Sequence, residues 1–163
     1  MGFTLEFKEV IKEDFVMVGF SGAGKWTKEV VYPIPELWDK AYKSFLTKNP
    51  KRIIGVCLPP RSDHYFYTCG IEISSVLYSE IGEGTTVHTF PAQRYVVFKH
   101  TGPATMIPNT YCKLWDTFDS NGYKIKPGAP EIEIVNSDMA GQEQSPLYEM
   151  EIWIPVESSL NAK

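Results

Sequence analysis

The sequence has no long apolar run. No stretch approaches the roughly 20 residues that a membrane-spanning helix needs, and no basic-then-apolar leader opens it, so the chain reads as soluble and cytoplasmic. Cysteine is sparse: Cys57, Cys69 and Cys112 are odd in number and far apart, with no CxxC or other zinc spacing. That argues against a disulfide frame or thiolate metal site and for reduced, buried thiols, with Cys57 and Cys69 inert within strands. Basic residues are outnumbered, 16 Lys and Arg against 20 Asp and Glu, for a formal net charge of −4. The densest basic run, Lys48-Asn-Pro-Lys51-Arg52, reads as a solvated loop. Nothing in it would neutralise several phosphates, so no direct nucleic-acid contact is expected. His64, His88 and His100 show no HxH or HExxH spacing and read as surface or strand-end residues, with no metal, cofactor or catalytic residue implied. Gly19-Phe-Ser-Gly-Ala-Gly-Lys25 lacks the spacing of a phosphate loop and has Trp26 where a hydroxyl residue should follow the lysine; it reads as a turn.

What is present is a core. Of 163 residues, 43% are apolar and 13% aromatic, enough for one domain or two small halves sharing a core. After a lead-in strand around Phe3–Val10, Phe15–Phe20 is β-branched and aromatic and reads as a buried strand. Pro33-Ile-Pro-Glu36 opens a helix, along which Leu37, Trp38, Ala41, Tyr42, Phe45 and Leu46 recur at helical spacing until Asn49-Pro50. Strands follow at Arg52–Leu58 and Tyr65–Val76. After Glu80–Gly84 come strands at Thr85–Phe90 and Arg94–His100, then a helix over Thr105–Ser120 stopped by Asn121-Gly122. Strands at 131–135 and Tyr148–Val156 close the chain. Trp38, Trp115 and Tyr111 sit at helical spacing among other apolar residues, which suits the core.

The halves match one another. Phe15-Val-Met-Val parallels Tyr95-Val-Val-Phe, Leu37-Trp38-Asp39 parallels Leu114-Trp115-Asp116, Ile54-Gly55-Val56 parallels Ile132-Glu133-Ile134, and Tyr65–Ile71 parallels Tyr148–Ile154. Four matches in register argue for duplication. The fold expected is α+β, a tandem β-α-β-β repeat of about 1–79 and 80–163 within one domain spanning 1–163. Antiparallel sheets lie at its centre, both helices on one side, with a cleft along a pseudo-twofold. Within Pro130-Glu131-Ile132-Glu133-Ile134-Val135, alternation puts Ile132 and Ile134 on one face and Glu131, Glu133 and Val135 on the other. If the second face lines the cleft, a carboxylate there has a glycine, Gly55, as its counterpart and space beside it. On the last strand Met150, Ile152 and Ile154 are assigned to the helix side, and Glu149, Glu151 and Trp153 to the cleft. Trp26, in its loop, would lid the cleft or pack on its own domain. Carboxylates among aromatics suit a flat, lipophilic cation.

Phe15-Val-Met-Val-Gly19, Ile34-Pro-Glu-Leu-Trp38, Tyr67-x-x-Gly-Ile71, Phe90–Gly102, Pro130-x-Ile-Glu133 and Glu151-Ile-Trp-Ile-Pro-Val156 follow one another in an order that resembles the GyrI-like effector-binding family. This is the small-molecule domain of many AraC- and MerR-type regulators, which is also found alone. The resemblance covers nearly the whole chain. It implies a stand-alone binding module for hydrophobic, often cationic compounds, a sensor or sink linked to transcription through a partner regulator protein. It favours Glu133 over Glu131 as the functional carboxylate, with Trp153, Val135, Glu151, Trp26 and Tyr111 as the other candidate ligand contacts. Val135 stands where the family pattern has tyrosine. Some relatives hydrolyse reactive cyclopropane compounds, so a hydrolase using the cleft glutamate is the alternative. The chain begins almost at its first strand, so no helix-turn-helix is expected.

Overall fold

The computed structural model describes residues 5–25, 34–58, 64–73, 82 and 84–157. Eight strands and two helices follow in the order β1 (Phe7–Lys12), β2 (Phe15–Lys25), α1 (Ile34–Phe45), β3 (Arg52–Leu58), β4 (His64–Glu72), β5 (Thr86–Phe90), β6 (Gln93–Thr101), α2 (Ile107–Ser120), β7 (Glu131–Asn136) and β8 (Glu149–Pro155). This is the α+β tandem of β-α-β-β units that the internal match predicts. α1 carries Glu36 in its first turn, against the positive end of the helix dipole, and buries Leu37, Ala41 and Phe45 at four-residue steps. A short 3-10 turn follows it, closed by Asn49 in the left-handed region at φ 54°. α2 has Pro108 in its first turn and buries Leu114, Thr117 and Phe118. Gly122, at φ 76°, lets the chain leave the helix where a Cβ would be strained.

All the strands join one antiparallel sheet, ordered β1-β6-β8-β7-β3-β4-β2-β5. The order reads symmetrically outward from the β7–β3 pair. β8, β6 and β1 on one side answer β4, β2 and β5 on the other, and the leading strands are exchanged, since β1 pairs with β6 of the second half and β5 with β2 of the first. The exchange forces the sheet to curl. β1 reaches β2 through Glu13 and Asp14 alone, and β5 reaches β6 through Pro91 and Ala92, yet each pair stands six places apart in the sheet. Six flat spacings of about 4.8 Å exceed 28 Å, whereas a two-residue link spans only about 10 Å. The edges must therefore turn toward one another. Lys12 at the end of β1 accordingly reaches Glu72 on β4 (2.9 Å), which Arg52 also contacts (3.2 Å).

The two faces hold different cores. On one, α1 covers Val18, Ile53, Tyr65, Tyr67, Cys69 and Ile71, while α2 covers Val96, Phe98, Val135, Met150, Ile152 and Ile154. Register ties these into a single face, because Ile53 stands opposite Val135 and Gly55 opposite Glu133. Both helices thus lie on one side, as expected. The inner face of the curl gathers Met17, Ile54, Val56, Tyr95, Val97, Ile132, Ile134 and Trp153.

Two local expectations are corrected. The glycine-rich segment after Phe20 is strand rather than turn: β2 runs on to Lys25, paired with β4 as far as His64. The glycines serve close approach between these strands, since Gly19 faces Gly70, and a Cβ on Gly19 would lie 2.7 Å from the Cys69 carbonyl carbon. For His100 the surface alternative is corrected and the strand-end one holds: it is buried, one residue from the end of β6. Its ring nitrogens pair with Thr110 Oγ1 (2.6 Å) and the Gly102 carbonyl (2.9 Å), which fastens β6 to the start of α2.

Candidate functional site

The pseudo-twofold runs through the centre of the β3–β7 pair, and the residues on it are Gly55 and Glu133. The register is symmetric about them: Ile54 faces Ile134 and Val56 faces Ile132. Strict repetition would therefore set two glutamates directly opposite each other, about 5 Å apart at Cβ. A glycine in the first half removes that conflict.

Its place is taken by aromatic side chains. A Cβ on Gly55 would meet the Tyr67 hydroxyl and ring and lie 2.8 Å from Trp38 Cζ2. Tyr67 donates to Glu133 Oε1 at 2.7 Å, and Tyr111, from α2, donates to Oε2 at 3.1 Å. Trp38, from α1, donates its indole N–H to the Tyr67 oxygen at 2.9 Å. An indole N–H can only donate, so the direction of this chain is fixed: Trp38 to Tyr67 to carboxylate. Trp38 packs against the cores under both helices and so stands at the seam between the halves. Further along, Tyr42 of α1 and Tyr148 bear on one another electrostatically, and the Glu133 charge bears on Tyr148.

The electrostatics follow from burial. Desolvation raises the Glu133 carboxyl above its ordinary value, while the Tyr67 and Tyr111 hydroxyls pull it back by bonding the anion. Glu131, two residues along the same face and half-buried, is lifted from 4.5 to about 7 by burial and then by the Glu133 charge. Two like charges so close do not ionise together easily. Glu133 has two hydroxyls that favour its anion, whereas none of the bonds described here is directed at Glu131. Cys57, opposite Glu131, is pushed up to about 12 by burial and then by both carboxylates, so its thiol is inert.

The candidates from sequence separate. Glu133, Val135 and Tyr111 share the helix-side face. Trp153 and Glu151 do not. Trp153 stands opposite Ile132 and Glu151 opposite Ile134, so both belong to the inner face of the curl, and Trp153 packs there with Tyr95. The expectation that they share a cleft with Glu133 is corrected. Glu151 and Trp153 do face away from the helices, as read from the last strand; Glu133 is the one on the helix side, and Ile132 and Ile134 enter a second apolar interior that the curl makes. Trp26 lies outside the described residues. Sequence reasoning assigned Trp38 to the core and gave Tyr67, Tyr42 and Tyr148 no role in the site. The signal for Tyr67 is the glycine opposite Glu133, which leaves room for a ring from the next strand.

Tyr67→Phe removes one oxygen atom and should be costly. It leaves the Trp38 N–H unpaired and removes one donor from Glu133. A loss of about 1–3 kcal/mol is expected, read by urea denaturation, together with a further rise in the Glu133 pKa. An unchanged midpoint would mean that water replaces the hydroxyl at no cost.

The profile of the family described as integron-associated effector binding protein matches residues 10–156. No curated protein matches the sequence. Among solved structures, the chain is similar to SAV2435 bound to tetraphenylphosphonium, at 18% identity and a TM-score of 0.73, covering 94% of this chain and 95% of that one. It is also similar to an integron cassette protein from the mobile metagenome of Vibrio cholerae, at 17% identity and a TM-score of 0.68, covering 93% and 95%. A third similar structure is the EcmrR C-terminal domain, at 15% identity and a TM-score of 0.65, covering 94% and 98%. At these identities the likeness establishes the shared fold.

Proposed function

Because the chain belongs to the integron-associated effector binding family, we propose that it binds a lipophilic, aromatic cation against Glu133 as a stand-alone sensor or sink. One observation carries this reading. Among the described residues Glu133 has no cationic partner, and hydroxyls of Tyr67 and Tyr111 hold its two oxygens beside the Trp38 ring. Such an anion is complete only with a cation, and aromatic faces attract delocalised cations for the same electrostatic reason. SAV2435, of the same fold, is bound to tetraphenylphosphonium, a cation of this class. With net charge −4 and no basic cluster, any link to transcription would pass through a partner regulator protein rather than through DNA.

The test is calorimetric titration with tetraphenylphosphonium and with neutral tetraphenylmethane-type isosteres, on wild type and Glu133→Gln. The substitution keeps the shape and removes the charge. Charge-assisted contacts are worth about 1.5–3 kcal/mol, so cation affinity should fall about ten- to a hundredfold while the neutral compound loses little. Equal losses for both ligands would make Glu133 structural. The hydrolytic alternative, with the same carboxylate acting on a strained cyclopropane electrophile, requires turnover that Glu133→Gln abolishes; the binding reading requires none.

A further inference from the structure

Glu131 is left over by this account. It lies on the same face of β7 as Glu133, is half-buried, and stands opposite Cys57 rather than opposite a charged residue. A carboxyl in that position is costly unless something compensates it. No ion pair joins it to a cation among the described residues. The groups that bear on it are Glu133 on its own strand, the inert Cys57 thiol on β3, and the Tyr111 hydroxyl on α2, whose proton is spent on Glu133. Tyr65, on β4, is raised by burial and then by Cys57. None of these is a cation, and none of their bonds described above is directed at Glu131. The carboxyl is thus a second anionic position along the line of the first, with a spacing fixed by the strand.

We propose that Glu131 is a specificity-determining residue: together with Glu133 it selects planar dications whose two charges stand one strand repeat apart. The inference rests on the reading of Glu133 as the ligand's carboxylate and adds to it a second subsite and a ligand class. A strand rises about 3.3 Å per residue, so side chains two residues apart repeat at about 6.6 Å, close to the separation of about 7 Å between the ring nitrogens of methyl viologen. The half-buried rings of Trp38 and Tyr111 supply aromatic surface beside one end of that line. A monocation of the same outline engages Glu133 and leaves Glu131 to keep its proton. A dication brings a partner for each carboxylate and makes ionising both of them favourable.

The discriminating pair is methyl viologen and 1-methyl-4-phenylpyridinium, which share a flat biaryl outline and differ in one charge. Binding is measured by calorimetry at pH 6 and pH 8 on wild type, Glu131→Gln, Glu131→Asp and Glu133→Gln. Because Glu131 titrates near 7, wild type at pH 8 should prefer the viologen by about tenfold, the worth of one half-screened charge contact, and the preference should shrink at pH 6. Viologen binding at pH 6 should also release more protons than binding of the monocation. Glu131→Gln should abolish the preference and leave monocation affinity within about twofold, and Glu131→Asp should restore part of it. A wild type without preference at pH 8, or a Glu131→Gln variant that loses both ions equally, overturns the proposal while leaving Glu133 in place. If both planar ions fail while tetraphenylphosphonium binds, the dication class is wrong. If Glu133→Gln leaves every cation unaffected, the underlying reading falls instead.

Discussion

Gly55→Ala should destabilise the protein by roughly 2–3 kcal/mol, the upper range for overpacking a filled interior. For a chain of this length that is about 4–12 °C in Tm. The added methyl would overlap the Tyr67 hydroxyl, and Tyr67 is only 1% exposed and cannot swing into solvent. Relief requires the tyrosine to withdraw from Glu133, taking the Trp38 bond with it. The same substitution should therefore weaken binding of tetraphenylphosphonium, though Gly55 touches no ligand in the proposed arrangement. Gly70→Ala makes the comparison informative. Its Cβ would lie 2.5 Å from Gly19 Cα and press on the Val18 backbone, so the obstruction is main chain rather than a side chain. It should cost at least as much stability, by parting β2 from β4, yet leave the ratio of cation to neutral-isostere affinity unchanged in whatever protein remains folded. Thermal melts with parallel calorimetry read both quantities. A Gly55→Ala protein with wild-type Tm and affinity would mean that the Tyr67–Glu133 contact is not a constraint in solution.

This glycine shows what the sequence could and could not disclose. Period-two alternation and the four register matches are local signals, and they placed the strands, the helices and the Gly55–Glu133 pairing, because each depends on spacing within or between short segments. The exchange of β1 and β5 and the curl are long-range: nothing in Phe7–Lys12 says that it pairs with β6 rather than with the strand that follows it. That omission had a consequence. An uncurled pair of sheets has one apolar interior, under the helices, which puts Glu133 with Glu151 and Trp153 on the opposite side. The curl supplies a second interior: Glu151 and Trp153 do face away from the helices, and Glu133 is the residue that changes sides. Tyr111 was named through the family resemblance, whereas periodicity alone assigned it to the core. Its half-buried ring packs against the α2 core, so the core assignment holds for the ring, while its hydroxyl reaches Glu133.

The stability of the protein should fall between about pH 5 and pH 8, and Glu131 should account for much of the fall. Its folded pKa, about 7, lies above the value of 4.5 expected when unfolded, so across that interval the folded chain binds the proton more tightly. Stability contributed by the protonated carboxyl is fully present below about 4.5 and is lost as pH rises through 7. At 1.36 kcal/mol per tenfold the full interval is worth roughly 3 kcal/mol; contact with solvent reduces this to about 1–2 kcal/mol. Glu133, also raised by burial, contributes with the same sign. Two groups act the other way. Lys12 and Arg52 hold Glu72 low against its own desolvation, so its contribution is lost only in more acidic solution. His88 is lowered by burial, so its contribution appears on passing upward through its folded value toward 6.5 and partly masks the effect. The difference between variant and wild type removes that masking. Glu131→Gln should leave the urea midpoint near wild type at pH 5 and raise it at pH 8, with a gain of about 1–2 kcal/mol. Saturating methyl viologen should close the gap from the wild-type side, because it stabilises the ionised carboxylate that the variant lacks. A gain equal at both pH values would mean that the glutamine acts through packing, and no gain at either would mean that Glu131 is as well solvated folded as unfolded.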